Sequence, residues 1–141
     1  MENNKILVKK YFKEAQRYYK NAKEILKKVK ITYRTYVDSK NVSEACATAY
    51  LSVLKALDGY LMLRGVKKEK LPDSYQGYLS SLRKYLAHNG KIKSALTEVY
   101  QNLHVYGYYR EGVSVEIIKA GFESAKFIIE HFSKTAEQKQ S

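Results

Sequence analysis

Apolar residues recur every three or four positions along most of this 141-residue chain, which is the spacing of one face of an α-helix. Five segments show this pattern, and none shows the sustained alternation of apolar and polar residues that marks a half-buried strand. The first predicted helix runs from about Asn4 to Val29, with lysines on the face opposite its apolar stripe. That stripe consists of Leu7, Tyr11, Ala15, Tyr18, Ala22, Ile25 and Val29.

Residues 31–37 interrupt the helical pattern. They are rich in β-branched and aromatic side chains, which favour a break or an irregular connector over continued helix. The second helix is expected to begin at Asn41, where a glutamate three residues later forms a variant of the capping box, or slightly earlier at Asp38 or Ser39. Apolar residues cover so much of its circumference that we expect it to be central, and Gly65 ends it.

The third predicted helix opens at Asp73 or Ser74, because Pro72 disfavours helix before it and both residues can cap exposed amides. Its apolar face continues as far as Leu86, and the pair Asn89-Gly90 is expected to stop it. Tyr75, Tyr78, Leu79, Leu82, Tyr85 and Leu86 form this face.

Two further helices complete the prediction. The fourth starts near Ile92 and ends before Gly107, and the fifth runs from Ser114, its capping residue, to about Ser133. Short connectors make the later helices antiparallel neighbours. The sequence therefore predicts an all-α fold, an up-and-down bundle of about five helices in a single domain over residues 1–133, followed by a frayed polar tail over residues 134–141.

Cysteine content and hydropathy exclude several classes of protein. The chain has one cysteine, Cys46, so an internal disulfide and a cysteine cluster for zinc are both excluded, and small core filler is the favoured role. No run of about 20 apolar residues could span a bilayer, and lysines interrupt the short apolar stretch at the N-terminus. We expect a cytoplasmic protein that binds no metal ion and no cofactor.

The formal net charge is +12, and the sequence pI is about 9.6. Residues 1–40 account for +8 of this charge. A surface of this sign attracts phosphate polymers or acidic partners. A solvated lysine face on an amphipathic helix gives the same count, and this interpretation is favoured over a dedicated nucleic-acid surface for the first helix.

The candidate chemistry lies in residues 82–90, where Arg83 and His88 are five positions apart. In a regular helix such residues are rotated by about 140° and do not converge. If His88 occupies the final turn before Asn89-Gly90, however, its ring can fold over the helix end beside a guanidinium. Such a pair suits metal-independent RNA cleavage, with the histidine moving a proton and the arginine stabilising the phosphorane. A second copy of His88, in a two-fold dimer, would supply the second proton carrier.

The arrangement Arg83-x4-His88 near the end of a late helix resembles the motif of the HEPN superfamily of small helical-bundle domains. The resemblance extends over residues 4–133 and is carried by the helix layout and this motif. Members commonly form homodimers with their motifs facing each other, and some are metal-independent ribonucleases. The resemblance implies that Arg83 stabilises phosphate and that His88 is the general acid or base.

Lys84 departs from the motif of active members, which usually place Asn or Asp directly after the arginine. Residues 85–91 and 103–109 are more similar to small uncharacterised bacterial HEPN-like proteins than to toxin nucleases. Inactive members bind nucleotides or partner proteins. The resemblance therefore implies a homodimeric binding or assembly module whose ligand is RNA, a nucleotide or an acidic partner such as a cognate nucleotidyltransferase.

Residues 104–112 form a second unusual segment, with three tyrosines and an arginine around two glycines. Stacking surfaces beside a cation suit an unpaired base. Tyrosines also seal the ends of helical bundles, and this packing role is favoured here. The residues predicted to contact nucleic acid or a nucleotide are Lys84, Asn89, Lys91, Tyr108, Tyr109 and Arg110.

The sequence thus predicts a HEPN-like, non-catalytic binding or assembly module. The alternatives are a metal-independent, toxin-like ribonuclease that uses Arg83 and His88 from two subunits, and a purely structural dimer.

Overall fold

Five α-helices make up most of the chain in the computed structural model, which describes residues 2–140. The prediction of an all-α bundle is confirmed. Within the described residues, none of the helices is both long and apolar enough to cross a membrane. The helices are α1 (Glu2–Lys27), α2 (Ser39–Leu63), α3 (Tyr75–Leu82), α4 (Gly90–Val99) and α5 (Val115–Gln140).

Helix α2 is central, as its broad apolar surface predicts. It packs along α1 and also contacts α3 and α5. Small residues allow the close approach to α1, because a Cβ atom on Gly59 would lie 2.9 Å from the ring of Phe12. Asp38 caps the helix, and its carboxylate accepts the amide hydrogens of Lys40 and Asn41 at 3.1 and 3.2 Å. The earlier of the expected starts is therefore the observed one.

A short β-hairpin joins α1 to α2 where an irregular connector is predicted. Its antiparallel strands are β1 (Ile31–Thr32) and β2 (Thr35–Tyr36). Tyr36 is 3% exposed and fixes the hairpin to the core.

Helix α3 ends at Leu82, and residues 83–88 form turns and a bend. The prediction that Asn89-Gly90 stops the third helix is wrong, because Asn89 instead caps α4 and Gly90 is its first residue. The error has a physical cause. Leu82 and Leu86 are both buried, so the apolar spacing continues through the turns and mimics continued helix.

A π-helix, Tyr100–Tyr109, continues directly from α4, and we call it the π segment. The fourth predicted helix is expected to end before Gly107, but the helical backbone continues through the π segment to Tyr109, so this prediction is wrong. The amide of Arg110 donates to the carbonyl oxygen of Val105, five residues back, at 2.8 Å. Gly107 lies flush against α2, where an added Cβ would overlap the side chain of Cys46. The absence of a side chain at Gly107 allows this contact.

Helix α5 begins after Ser114, whose hydroxyl accepts the amide hydrogen of Ile117 at 3.4 Å, so the predicted cap is confirmed. The helix extends beyond Ser133 to Gln140. Ala136, in the segment predicted to be a frayed tail, is 5% exposed and belongs to the core. That prediction is wrong for the described residues, and Ser141 lies outside them.

Cys46 is fully buried, and burial raises the pKa of its thiol to about 12. The thiolate, which is the reactive form, is therefore disfavoured at neutral pH. The prediction of a core-filling cysteine is confirmed.

Candidate functional site

The segment that carries Arg83 and His88 is a series of hydrogen-bonded turns between α3 and α4. The amides of Tyr85 and Leu86 both donate to the carbonyl oxygen of Leu82, each at 3.0 Å. Leu82 and Leu86 are buried and fix the segment to the core, whereas Arg83 and His88 are exposed. The turns therefore present both predicted catalytic side chains to solvent.

His88 does not occupy the last turn of a helix, so this part of the prediction is wrong. It lies six residues beyond the end of α3, in the turns that lead to α4. In the part of the chain that the structure describes, no hydrogen bond or ion pair joins its side chain to Arg83. Nor do residues 2–140 contain a group of three or more His, Cys, Asp or Glu residues that could hold a metal ion.

Lys84 belongs to a cluster of cations and tyrosines at the end of α2. Its Nζ atom lies 5.0 Å from the centre of the Tyr85 ring, and the guanidinium carbon of Arg64 lies 4.7 Å from the same centre. Tyr60 contacts Tyr85 edge to face at 5.9 Å. These contacts hold the turns against α2, and they leave two exposed positive charges around one ring.

The surroundings of Asn89 and Lys91 are not those of a phosphate-binding site. The Oδ1 atom of Asn89 accepts the amide hydrogen of Ile92 at 3.2 Å, so its side chain serves as a helix cap. Lys91 lines an open groove of about 530 Å³ between α4 and α5, together with Glu98 and Glu123. These carboxylates make the groove unfavourable for a polyanion.

The hairpin tip carries two bulky residues in a left-handed conformation. Tyr33 has φ 52° and Arg34 has φ 63°, the geometry of a two-residue turn that Asn-Gly normally occupies. Bulky side chains rarely adopt this geometry, and it costs about 1 kcal/mol or more for each residue. Tyr33 is 95% exposed and gains no packing in return. The tip thus displays a tyrosine and an arginine at adjacent exposed positions, at a cost in stability.

Replacing Tyr33 and Arg34 by Asn and Gly is therefore expected to stabilise the fold. Removing the strain at both residues is worth about 2 kcal/mol, and the larger conformational entropy of glycine in the unfolded chain offsets about 1 kcal/mol of this. The free energy of unfolding should therefore rise by about 1 kcal/mol. Urea denaturation of the Tyr33→Asn/Arg34→Gly variant measures this change. An unchanged or lower midpoint would show that the tip is not strained.

The hairpin is tied by backbone hydrogen bonds to the segment that follows the π segment. The amide of Tyr36 donates to the carbonyl oxygen of Val113 at 2.9 Å, and the amide of Val115 donates to that of Arg34 at 3.1 Å. Residues 113–115 thus run beside β2, so the hairpin and the end of the π segment lie at the same end of the bundle.

The end of the π segment adds a second exposed tyrosine and arginine to this end of the bundle. Tyr109 is 70% exposed, and the guanidinium carbon of Arg110 lies 5.4 Å from the centre of its ring. The predicted packing role is wrong for Tyr109, whose ring is largely in solvent. We call the exposed side chains at this end of the bundle the hairpin face, namely Ile31, Tyr33, Arg34, Tyr109 and Arg110.

The predicted binding residues fall into two separate groups. Ser43, in the first turns of α2, donates its hydroxyl hydrogen to the carbonyl oxygen of Tyr108 at 3.1 Å. Arg64, just beyond the last turn of α2, contacts Tyr85 in the turns that carry Arg83 and His88. At about 1.5 Å per residue, these two contacts are about 30 Å apart along α2. The catalytic candidates and the stacking candidates therefore do not share one site within a single chain.

A cavity of about 280 Å³ lies between α2, the start of α3 and the π segment, and we call it the aromatic cavity. It is lined by Tyr50, Leu54, Asp73, Ser74, Tyr75, Tyr78, Tyr100 and His104. The rings of Tyr75 and Tyr100 are stacked at 3.9 Å, and those of Tyr50 and His104 at 4.6 Å.

Burial and one hydrogen bond define the chemistry of the cavity walls. The hydroxyl of Tyr78 donates to Oδ1 of Asp58 at 2.8 Å. Burial raises the pKa of Asp58, an effect that this hydrogen bond opposes. Burial also raises the pKa of Tyr50 to about 12. The Tyr50 hydroxyl is therefore neutral at physiological pH.

The aromatic cavity is not among the sites predicted from the sequence. One signal was present, because Tyr100, His104 and Tyr108 recur every four residues. In the π segment this spacing places them in one row, in which His104 lies 5.4 Å from Tyr100 and 5.9 Å from Tyr108. Tyr50 and Tyr75 come from other helices, so their place in the cavity depends on tertiary packing.

Comparison with known proteins places this architecture in a family. Residues 10–134 match the model of DUF5618, a domain of unknown function. The chain belongs to the DUF5618 family. Every residue of the hairpin face and of the aromatic cavity lies in the part that matches DUF5618.

A solved structure supports the DUF5618 fold described here. It is a protein of unknown function from Dyadobacter fermentans, which is 35% identical in sequence and superposes with a TM-score of 0.76. The match covers 91% of this DUF5618 chain and 98% of the other chain. A search of curated proteins found no significant match.

Proposed function

We propose that this protein is a non-catalytic binding module that engages single-stranded RNA through the hairpin face. The observation that carries the proposal is Tyr33, a 95% exposed ring held beside Arg34 in a strained turn. A side chain that packs against nothing and costs backbone energy is better explained by a ligand than by the fold.

The composition of the hairpin face fits an unpaired polynucleotide. Tyr33 and Tyr109 offer ring surfaces on which bases can stack, and Arg34 and Arg110 offer charges for the phosphates. Three exposed lysines flank the hairpin in sequence and increase the local positive charge, namely Lys28, Lys30 and Lys40. Stacking of this kind is tolerant of sequence, so we propose weak dependence on base identity.

The HEPN resemblance supports the same class of function and adds a homodimer to the proposal. Two copies related by a two-fold axis would present two hairpin faces to one RNA strand and raise its apparent affinity. Sedimentation velocity measures this oligomeric state. Binding of a free nucleotide, or of an acidic protein such as a nucleotidyltransferase, is the competing choice of ligand for the same face.

The test is retention of labelled single-stranded RNA as the salt concentration changes. The logarithm of the binding constant is expected to fall linearly with the logarithm of salt concentration, because each neutralised phosphate releases counterions. Replacing Arg110 by alanine should make this slope shallower by about one. If RNA is not retained at low salt, or if a mononucleotide binds equally well, the RNA proposal is wrong.

The exposed positions of Arg83 and His88 leave the ribonuclease alternative open to a direct test. A facing copy could reach both side chains, since they project from the turns into solvent. We expect the purified protein to leave mixed RNA intact in the presence of a chelator, and His88→Ala to behave identically. Cleavage that disappears in His88→Ala would instead establish the dimeric Arg83 and His88 site.

A further inference from the structure

We propose that the aromatic cavity binds a small organic cation that carries a substituted ammonium group. This site is separate from the hairpin face, and the inference does not depend on RNA binding. Three properties of the cavity carry it: its charge, its ring lining and its size.

The charge of the aromatic cavity is opposite to that of the protein. The chain has 26 lysines and arginines, yet none of them is among the described residues that line the cavity. Asp73 lines it directly, and Asp58 lies behind the hydroxyl of Tyr78. Lys55 on α2 does not line the cavity and places its Nζ atom 5.1 Å from the ring centre of Tyr18, but its charge acts on Asp58, so Asp73 supplies the negative charge at the cavity itself. The cavity therefore favours a positive ligand over a phosphate.

The ring lining suits a cation more than a neutral apolar group. Four tyrosines and His104 surround the cavity, and the negative potential of aromatic faces attracts ammonium groups. Tyr75 stacks on Tyr100, and Tyr50 stacks on His104, so each ring is fixed by a neighbour before any ligand arrives. Side chains that are already ordered lose little conformational entropy when a ligand binds.

The size and the polar groups of the cavity restrict the ligand further. A volume of about 280 Å³ lies just below the range of sites for drug-sized ligands, so it fits one head group and not a whole nucleotide. The amide of Gly77 already donates to the hydroxyl oxygen of Ser74 at 3.0 Å, so this backbone donor in the first turn of α3 is not free to bind an anion. Asp73, by contrast, is exposed and available to pair with a cation.

Titration of the full chain with choline, followed by NMR, tests this inference. The matched neutral probe is 3,3-dimethylbutan-1-ol, which replaces the ammonium nitrogen by carbon. Choline is expected to bind saturably and at least about tenfold more tightly than the neutral probe. This difference in affinity is what a desolvated cation–π interaction supplies. Shifts should appear at Tyr50, Tyr75, Tyr100 and His104.

Two substitutions and one control keep the test decisive. Tyr100→Leu should weaken choline binding about tenfold, and Asp73→Asn, which removes an exposed charge, about threefold. Phe127→Leu, at an exposed position of α5, should leave choline binding unchanged. Asp73 is exposed, so Asp73→Asn remains informative if Tyr100→Leu does not fold. The inference fails if the neutral probe binds as tightly as choline, if adenosine monophosphate binds the cavity in its place, or if choline does not bind.

Discussion

Replacing Tyr33 and Tyr109 together by alanine is expected to weaken the binding of single-stranded RNA by about 30-fold or more. Base stacking on an aromatic side chain is worth about 1–3 kcal/mol per base, and two lost rings at the lower limit give this factor. Both side chains are largely exposed, at 95% and 70%, so their removal should change folding stability little. Fluorescence anisotropy with labelled RNA at fixed salt measures the change.

The matched control for this loss is Phe127→Ala. Phe127 is also an exposed aromatic residue, at 42%, but it lies on α5 about 18 Å along the helix axis from Val115. RNA affinity should be unchanged in this variant. An equal loss in the control, or full affinity in the double tyrosine variant, would remove the hairpin face as the RNA surface.

Replacing Gly107 by alanine is expected to lower the free energy of unfolding by about 2 kcal/mol. The new Cβ would overlap the side chain of Cys46 and lie 3.0 Å from Ile118, and forced overpacking of this kind costs about 1–3 kcal/mol. The melting temperature should fall by roughly 6–8 °C for a domain of this size. Thermal unfolding followed by circular dichroism measures it.

Gly90→Ala is the control for a glycine that packs against nothing. No atom lies within 4 Å of a Cβ built on Gly90, the first residue of α4. Alanine there should be neutral or stabilise the fold by up to about 1 kcal/mol, because it reduces the entropy of the unfolded chain. A melting temperature that falls equally in both variants would argue against the contact with Cys46 as the cause.

Helices with a clear apolar periodicity could be predicted from the sequence. α2 and α5 bury the stripes that their spacing indicates, and Ser74 and Ser114 cap helices as their side-chain chemistry predicts. These features depend on local preferences and on one buried face, and both can be read from sequence.

The end of α3 and the π segment could not be predicted in this way. A series of turns buries Leu82 and Leu86 with the same spacing as a helix, so periodicity does not distinguish the two. Gly107 normally indicates a helix end, but here it allows the π segment to lie against Cys46. That contact joins residues more than sixty positions apart in sequence.

The candidate sites were predictable only in part. Tyr109 and Arg110 were identified from the interleaving of rings and cations, which is a local property. Tyr33 and Arg34 were not, since a Tyr-Arg pair is not a recognised two-residue turn and their exposure appears only once the hairpin is formed. The aromatic cavity needs rings from three separate segments.

The most direct test of the RNA proposal is photo-crosslinking of a 4-thiouridine RNA to the wild-type protein, with the attachment sites mapped by mass spectrometry. Crosslinks are predicted at Tyr33 and Tyr109 and on the peptides that carry Arg34 and Arg110. Crosslinks confined to the lysines of α1, or to residues 83–89, would contradict the proposal, because they would place the RNA on a surface other than the hairpin face.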